Sequence, residues 1–211
     1  MATRRYDSSS RRAAAEENRI RLATVAHRLF VEQGYAATTI TRIAEEASLA
    51  PQTVYATFGS KPAILEYLIA STVNVPSPPA TQSWMIAATQ APSAAERIAH
   101  LANGSAMILE RAGGLFVVLN HARLTDPELL PLWDQGQSRR LDGITRFVRA
   151  FDNSGFLLAP VDPELAIDAV WALTSPEIFA LLTEQRGWPP ERYREWVRSA
   201  ITAELRPSHN A

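Results

Sequence analysis

A glutamine, two threonines and a tyrosine follow a proline in Pro51-Gln52-Thr53-Val54-Tyr55-Ala56-Thr57-Phe58, and their spacing decides what chemistry they can do. Proline costs nothing at the first position of a helix, because the N–H it lacks would have no partner there. A helix of about two turns starting at Pro51 puts Val54 and Phe58 on one side and leaves Gln52, Thr53 and Thr57 on the other. An outward glutamine can bond an adenine edge in a bidentate manner, and methyl groups of Ala50, Pro51 or Thr53 can meet a thymine methyl. Tyr55 and Lys61 suit phosphates, as do the hydroxyls and N–H groups at Thr38 and Thr39. The first set would read a base sequence; the second would only fix position.

Such a helix is useful only if the elements around it hold it rigidly. Leu22, Val25, Ala26, Leu29 and Phe30 form one face of an amphipathic helix that Gly34 can end. Ile40, Ile43, Ala44 and Ala47 repeat the spacing in a shorter helix, for which Thr38 or Thr39 can serve as cap. Ser48-Leu49-Ala50 then makes a three-residue turn, Gly59 breaks the helix begun at Pro51, and Ser60 can cap a fourth carrying Ile64, Leu65, Leu68 and Ile69. Two short helices joined by a tight turn and braced by a preceding one make a helix-turn-helix, whose second helix can enter a DNA major groove.

The rest of the chain also reads as helix. Pro92-Ser93 opens a run that Asn103-Gly104 weakens and that Gly113-Gly114 separates from the apolar Leu115–Leu124 segment. Asp126-Pro127 and Asp162-Pro163 are start signals, with Leu129, Leu132, Trp133, Leu141, Ile144, Phe147, Val148 and Phe151 following the first. Pro176 either kinks the run after the second or restarts it with Ser175 as cap, and the last helix carries Tyr193, Trp196, Val197, Ile201 and Leu205. No alternating run requires a sheet. The expected fold is all-α: a three-helix DNA-binding unit followed by a larger helical bundle.

Composition narrows the function classes. Without cysteine there is no disulfide framework, thiol nucleophile or thiolate metal site. His100 and His121 stand alone, so no metal site and no cofactor are expected. Phosphate-binding, dinucleotide-binding, nucleophile-elbow and zinc-protease motifs are missing, which argues against an enzyme. No apolar run approaches the roughly 20 residues of a membrane span, so a cytoplasmic protein with no membrane partner is expected. Residues 1–75 carry a balance of +2 and residues 76–211 a balance of -3, which permits a polyanion at the N-terminal end. Residues 1–15 are polar and basic, and read as a mobile arm that either solubilises or reaches DNA.

Three patterns in order and at the right spacing add a resemblance. A-x-x-L-F-x-x-x-G-Y at Ala26 to Tyr35, T-T-x-x-x-I-A at Thr38 to Ala44, and T-V-Y-x-x-F-x-S-K at Thr53 to Lys61 resemble the DNA-binding domain of TetR-family bacterial repressors. Where many relatives carry an aromatic and a histidine after the tyrosine, this chain has Ala56 and Thr57, and Thr57 offers the weaker donor. The resemblance implies a C-terminal domain for ligand binding and dimerisation, in which the last two long helices pair with those of a second subunit. Phe179, Leu182, Trp196 and Ile201 are the expected interface. Trp84, Phe116, Asn120, Trp133, Phe147 and Trp171 are the expected lining of a pocket for a small apolar or amphipathic ligand, since bundles build such pockets from aromatics and a few polar groups.

The organisation expected is an arm at 1–15, a DNA-binding unit at 16–60, a connecting helix at 61–75 and the ligand and dimer domain at 76–211. The function expected is a homodimeric regulator that represses from a palindromic double-stranded operator and is released by a small molecule. The alternative is a helix-turn-helix regulator controlled by protein contacts, without an effector pocket.

Overall fold

The structure is a computed structural model that describes residues 8–73, 84–157 and 160–206, with side chains from residue 11 onward. Ten α-helices follow in order among the described residues. They are α1 (Ser8–Gln33), α2 (Ile40–Glu46), α3 (Pro51–Phe58), α4 (Lys61–Val73), α5 (Trp84–Gln90), α6 (Ala94–Ala122), α7 (Leu130–Asn153), α8 (Pro163–Leu173), α9 (Pro176–Ala180) and α10 (Pro190–Leu205). A 3-10 turn at Pro127–Leu129 leads into α7, and a π-helical turn at Leu181–Gln185 extends α9.

The start signals act as their chemistry demands. The side chains of Thr39, Ser93, Asp126, Asp162 and Ser175 each accept a hydrogen bond from a first-turn N–H of the element that follows. At Ser175 the cap shows that Pro176 restarts the helix rather than kinking it. Gly34, Gly59 and Gly187 take positive φ where helices or their extensions end.

Two expectations about helix extent are corrected. The second half of the expected arm is helical, because α1 starts at Ser8. Ala13, Ala14 and Ala15 are the strongest helix formers, and the pairs Arg19–Glu16 and Arg21–Glu17 bridge successive turns. Residues 1–7, with Arg4 and Arg5, and the Pro-rich boundary Val75–Pro79 lie outside the described residues. The glycines at 104, 113 and 114 do not interrupt α6, which runs through them as one helix of 29 residues. They are seats for neighbours: a Cβ at Gly104 would lie 2.1 Å from the Trp84 ring, and one at Gly113 3.2 Å from Phe179.

α6 lies at the centre, packed against α4, α5, α9 and α10. Its two halves serve different cores. Leu115, Val118, Leu119 and Ala122 join Leu22, Phe30, Ile43, Val54, Ile64 and Leu65 in one apolar cluster. Ile98, Leu101, Ala106 and Leu109 join Phe147, Phe151, Val170, Tyr193 and Ile201 in the other, and Phe116 touches both. Leu141, expected on the apolar stripe of α7, is exposed. The inward stripe runs instead through Trp133, Gln137, Arg140, Ile144, Phe147 and Phe151, alternating steps of four and three.

Candidate functional site

α3 is short, fixed behind and open in front. Val54 is buried, Phe58 meets the Tyr67 ring edge-on at 5.2 Å, and the Gly59 N–H closes the helix on the Tyr55 carbonyl. Ala50, Gln52, Tyr55 and Ala56 are exposed, and Pro51, Thr53 and Thr57 half-buried. Ala50 enters in an extended conformation with no side-chain cap. In the first turn Pro51 has no N–H to satisfy, and the Thr53 N–H donates to the Ala50 carbonyl at 2.9 Å. The Thr57 hydroxyl is occupied as a donor by the Thr53 carbonyl, at 2.7 Å.

The approach to α3 is braced by charge. Arg28 on α1 bonds both Glu32 and Glu46, and Arg42 bonds Glu46 from within α2. The hydrogen-bonded Arg28 guanidinium holds the Glu46 carboxyl below its ordinary pKa, with Arg42 adding to the effect. That clamp bridges α1 and α2, whose inner faces are joined by the buried Leu29, Phe30, Ile43 and Ala44.

Two expected phosphate contacts are corrected. Thr38 is fully buried and its hydroxyl donates to the Gly34 carbonyl at 2.9 Å, so only Thr39 of the pair is exposed, with its oxygen engaged as the α2 cap. Lys61 turns inward: its Nζ donates to the carbonyls of Tyr35 at 3.0 Å and Thr38 at 3.1 Å and lies 4.1 Å from the centre of the Tyr35 ring. Burial lowers its pKa, opposed by the charge of Asp126. The cation thus ties α4 to the turn before α2 and is not a free phosphate ligand. The Tyr35 hydroxyl in turn donates to Asp126 at 2.8 Å, and burial first, then that bond, pushes the phenol well above its usual range. Asp126 belongs to the junction between α6 and α7, so this chain of contacts links the DNA-binding unit to the bundle. Tyr35 and Lys61 both fall within the motifs, but only Lys61 stands out as a candidate, and nothing in their spacing predicts Asp126 as partner from 91 residues away.

The residues expected around a ligand divide into two groups. Asn120 donates to Glu177 at 3.2 Å and accepts from Arg123, whose guanidinium covers the Trp133 ring at 4.5 Å. Trp171 lies under Arg140 at 4.3 Å. Trp84 covers Gly104, and Phe147 is fully buried against Phe151, so both serve the second core. None of the six lines either of two open surface clefts among the described residues. One, of about 430 Å³, lies between α5 and α6 at Ile86, Gln90, Glu96 and His100. The other, of about 310 Å³, lies between α1 and α4 at Ile20, His27 and Tyr67. Arg123 and Arg140 were missed in the sequence, yet Arg140 had a signal: a charge on the apolar stripe of α7.

The expected interface is corrected in part. Ile201 is fully buried and Phe179 nearly so, the latter meeting Tyr193 edge-on at 4.9 Å. The stripe Tyr193, Val197, Ile201 and Leu205 turns α10 toward its own chain, which leaves Leu182 and Trp196 half-buried and Leu165 on α8 exposed at 68%.

Comparison with known proteins places this geometry. Residues 22–68 match the model of the bacterial regulatory proteins, tetR family. No curated protein matches the chain. Among solved structures, a protein from Mesorhizobium loti MAFF303099 described as a TetR-family transcriptional regulator is 20% identical. The match covers 91% of this chain and 96% of that one, with a TM-score of 0.67. A protein from Saccharomonospora viridis, described as a transcriptional regulator and solved with choline, is 20% identical with a TM-score of 0.70, covering 92% of this chain and all of that one. NalD, the secondary repressor of the MexAB-OprM efflux pump in Pseudomonas aeruginosa, is 16% identical with a TM-score of 0.66, covering 92% and 98%. At such identities the likeness is one of fold, and it extends across both helical regions. Residues 22–68 thus match the N-terminal domain of the tetR family of bacterial regulatory proteins, and the chain shares its fold with solved TetR-family regulators over nine-tenths of its length.

Proposed function

We propose that the protein is a repressor that binds a near-palindromic operator as a homodimer and leaves it when a small molecule occupies the C-terminal bundle. The observation that carries this reading is α3: exposed Gln52 and Tyr55 on a two-turn helix held from behind by Val54 and by the Arg28–Glu46 clamp. One such helix covers only a few base pairs, so useful affinity requires two copies related by a two-fold axis. Ala50, Pro51, Gln52 and Thr53 contact bases; Tyr55 and Thr39 contact phosphates, and Thr57, its hydroxyl already donating to Thr53, does not. The helices α8 and α10 and the π-helical turn between them pair with their counterparts through Leu165, Trp196 and Leu182. Leu165→Glu therefore yields monomers in sedimentation and much weaker DNA binding, and a persisting dimer places the interface elsewhere.

The bundle takes an apolar or amphipathic effector near Asn120, Trp133 and Trp171, as the choline complex of one structural neighbour and the repressor function of another encourage. A ligand shifts DNA affinity only by binding the two dimer geometries differently. The path from bundle to α3 runs through the shared half of α6, α4 and the Asp126–Tyr35–Lys61 contacts. Protection of DNA flanking the protein's own coding region, lost on adding a compound found by thermal shift, tests the whole reading; indifference to every sequence at low salt refutes it.

The second reading, control through protein contacts alone, is favoured by one observation: the expected pocket residues line neither of these two clefts. A diverse thermal-shift screen without a single hit supports it.

A further inference from the structure

The half-buried polar groups of the bundle include one pair that lacks something specific. Gln137 and Arg140 occupy two places on the inward stripe of α7 that an apolar side chain would otherwise fill. A charge there is costly unless it is paired. Arg97, the buried arginine of α6, shows what a purely structural solution looks like: its guanidinium donates to the carbonyls of Ala91 and Ala150 and to the Ser154 hydroxyl, all within 2.9 Å. Arg140 has the Trp171 carbonyl at 2.6 Å and the Gln137 amide oxygen at a long 3.3 Å. None of the ion pairs among the described residues involves it. Burial lowers its pKa, with Glu177 and Tyr193 acting the other way.

The indole beneath it has no hydrogen-bond partner at all. Trp171 Nε1 is the one buried side-chain nitrogen or oxygen among the described residues without a hydrogen-bond partner. On this stacked pair the indole thus lacks an acceptor and the guanidinium lacks a carboxylate, and one group that supplies both is an oxyanion. Glu177 does not fill that role. It is exposed, takes its bond from Asn120, and forms no ion pair with Arg140. Its negative charge nearby instead limits what can enter: one carboxylate balances Arg140, and a second charge would meet Glu177.

We propose that the Arg140–Trp171 stack is an anion subsite, and that the effector is an apolar monocarboxylic acid whose carboxylate binds there. The inference rests on the reading that the bundle takes a small molecule, and adds its chemical class. Two acid–amide pairs test it on the intact chain at fixed ionic strength: 2-naphthoate against 2-naphthamide, and decanoate against decanamide. The readouts are the midpoint of thermal unfolding and the indole N–H resonance of Trp171, identified by its loss in Trp171→Phe.

An acid of at least one pair moves the Trp171 resonance and binds about tenfold more tightly than its amide. Arg140→Gln removes that preference and leaves amide binding as it was. Should Arg140→Gln fail to fold, Trp171→Phe still lowers the affinity for the acid alone. Equal affinity for acid and amide, or an acid that binds with the Trp171 resonance unmoved, overturns the subsite and leaves the small-molecule reading standing. So does a set of neutral hits from the wider screen with no acid among them. Failure of every compound of either kind brings down both.

Discussion

Around Lys61 a cation is enclosed by two carbonyl oxygens, the face of Tyr35 and the charge of Asp126, whereas Arg140, with the charge of Glu177 nearby, has one carbonyl, one distant amide and an indole whose own N–H is unpartnered. The first arrangement is complete within the chain, so it holds one geometry. The second is short of an acceptor and gains from anything that supplies one. The proposed function needs both: a reading head that does not yield, and a sensing region whose free energy changes with its occupant. Between them lies α6, half in each core.

That shared helix makes the largest effect the easiest to test. Leu119 lies in the C-terminal region by sequence, yet it is buried against the helix-turn-helix. Leu119→Ala should cost about 2–5 kcal/mol and lower hydrogen-exchange protection in α1 and α4 as well as in α6. Unchanged protection in α1 and α4 would separate the two regions that the shared core joins.

Lys61 sharpens the contrast between a position-holding cation and a phosphate ligand. Lys61→Met leaves two carbonyls of the Tyr35–Thr38 turn without their charged donor, which should cost about 1–3 kcal/mol of stability. DNA binding then weakens for every sequence because α4 and the turn lose their tie. The slope of affinity against salt stays as in the parent protein, since no phosphate contact is lost. A slope reduced by about one unit would return Lys61 to the phosphate backbone. Gln52→Ala is the counterpart on the outer face: stability unchanged, discrimination between operator variants lower by about 1–3 kcal/mol. If the two substitutions give the same profile, the division between holding and reading is wrong.

Much of this was legible in the residues. The helix-turn-helix is local: Pro51, Gly59 and the apolar residues at three- and four-residue spacing act within their own turns, so pattern alone finds them. Helix starts at Ser93, Asp126, Asp162 and Ser175 are legible for the same reason. What pattern misreads is partnership across the chain. Thr38 looks like an exposed hydroxyl until Gly34 accepts from it, and Lys61 looks like a surface cation until the fold brings two carbonyls to it. Glycines in α6 look like breaks because their use, admitting Trp84 and Phe179, depends on helices far away in sequence. Ile201 looks like an interface residue because an apolar stripe on a last helix does not say which side covers it.

The smallest effect tests the turn on which the reading head depends. Ser48 has φ of 55, left-handed, in the link between α2 and α3, and its N–H bonds the Glu45 carbonyl. A side chain in that conformation costs about 1–2 kcal/mol that glycine avoids, while glycine makes the unfolded chain more disordered and returns part of the gain. Because Ser48 is exposed, no packing is lost. Ser48→Gly should therefore stabilise by about 0.5–1 kcal/mol, read as a higher urea midpoint with an unchanged slope. Ser48→Val, branched at Cβ, should do the reverse. Operator affinity should hold in the glycine variant, because the backbone geometry that poses α3 is one that glycine adopts without strain. A glycine variant less stable than the parent would mean that the Ser48 hydroxyl itself holds the turn, and that this part of the reading head, too, depends on a side-chain partner.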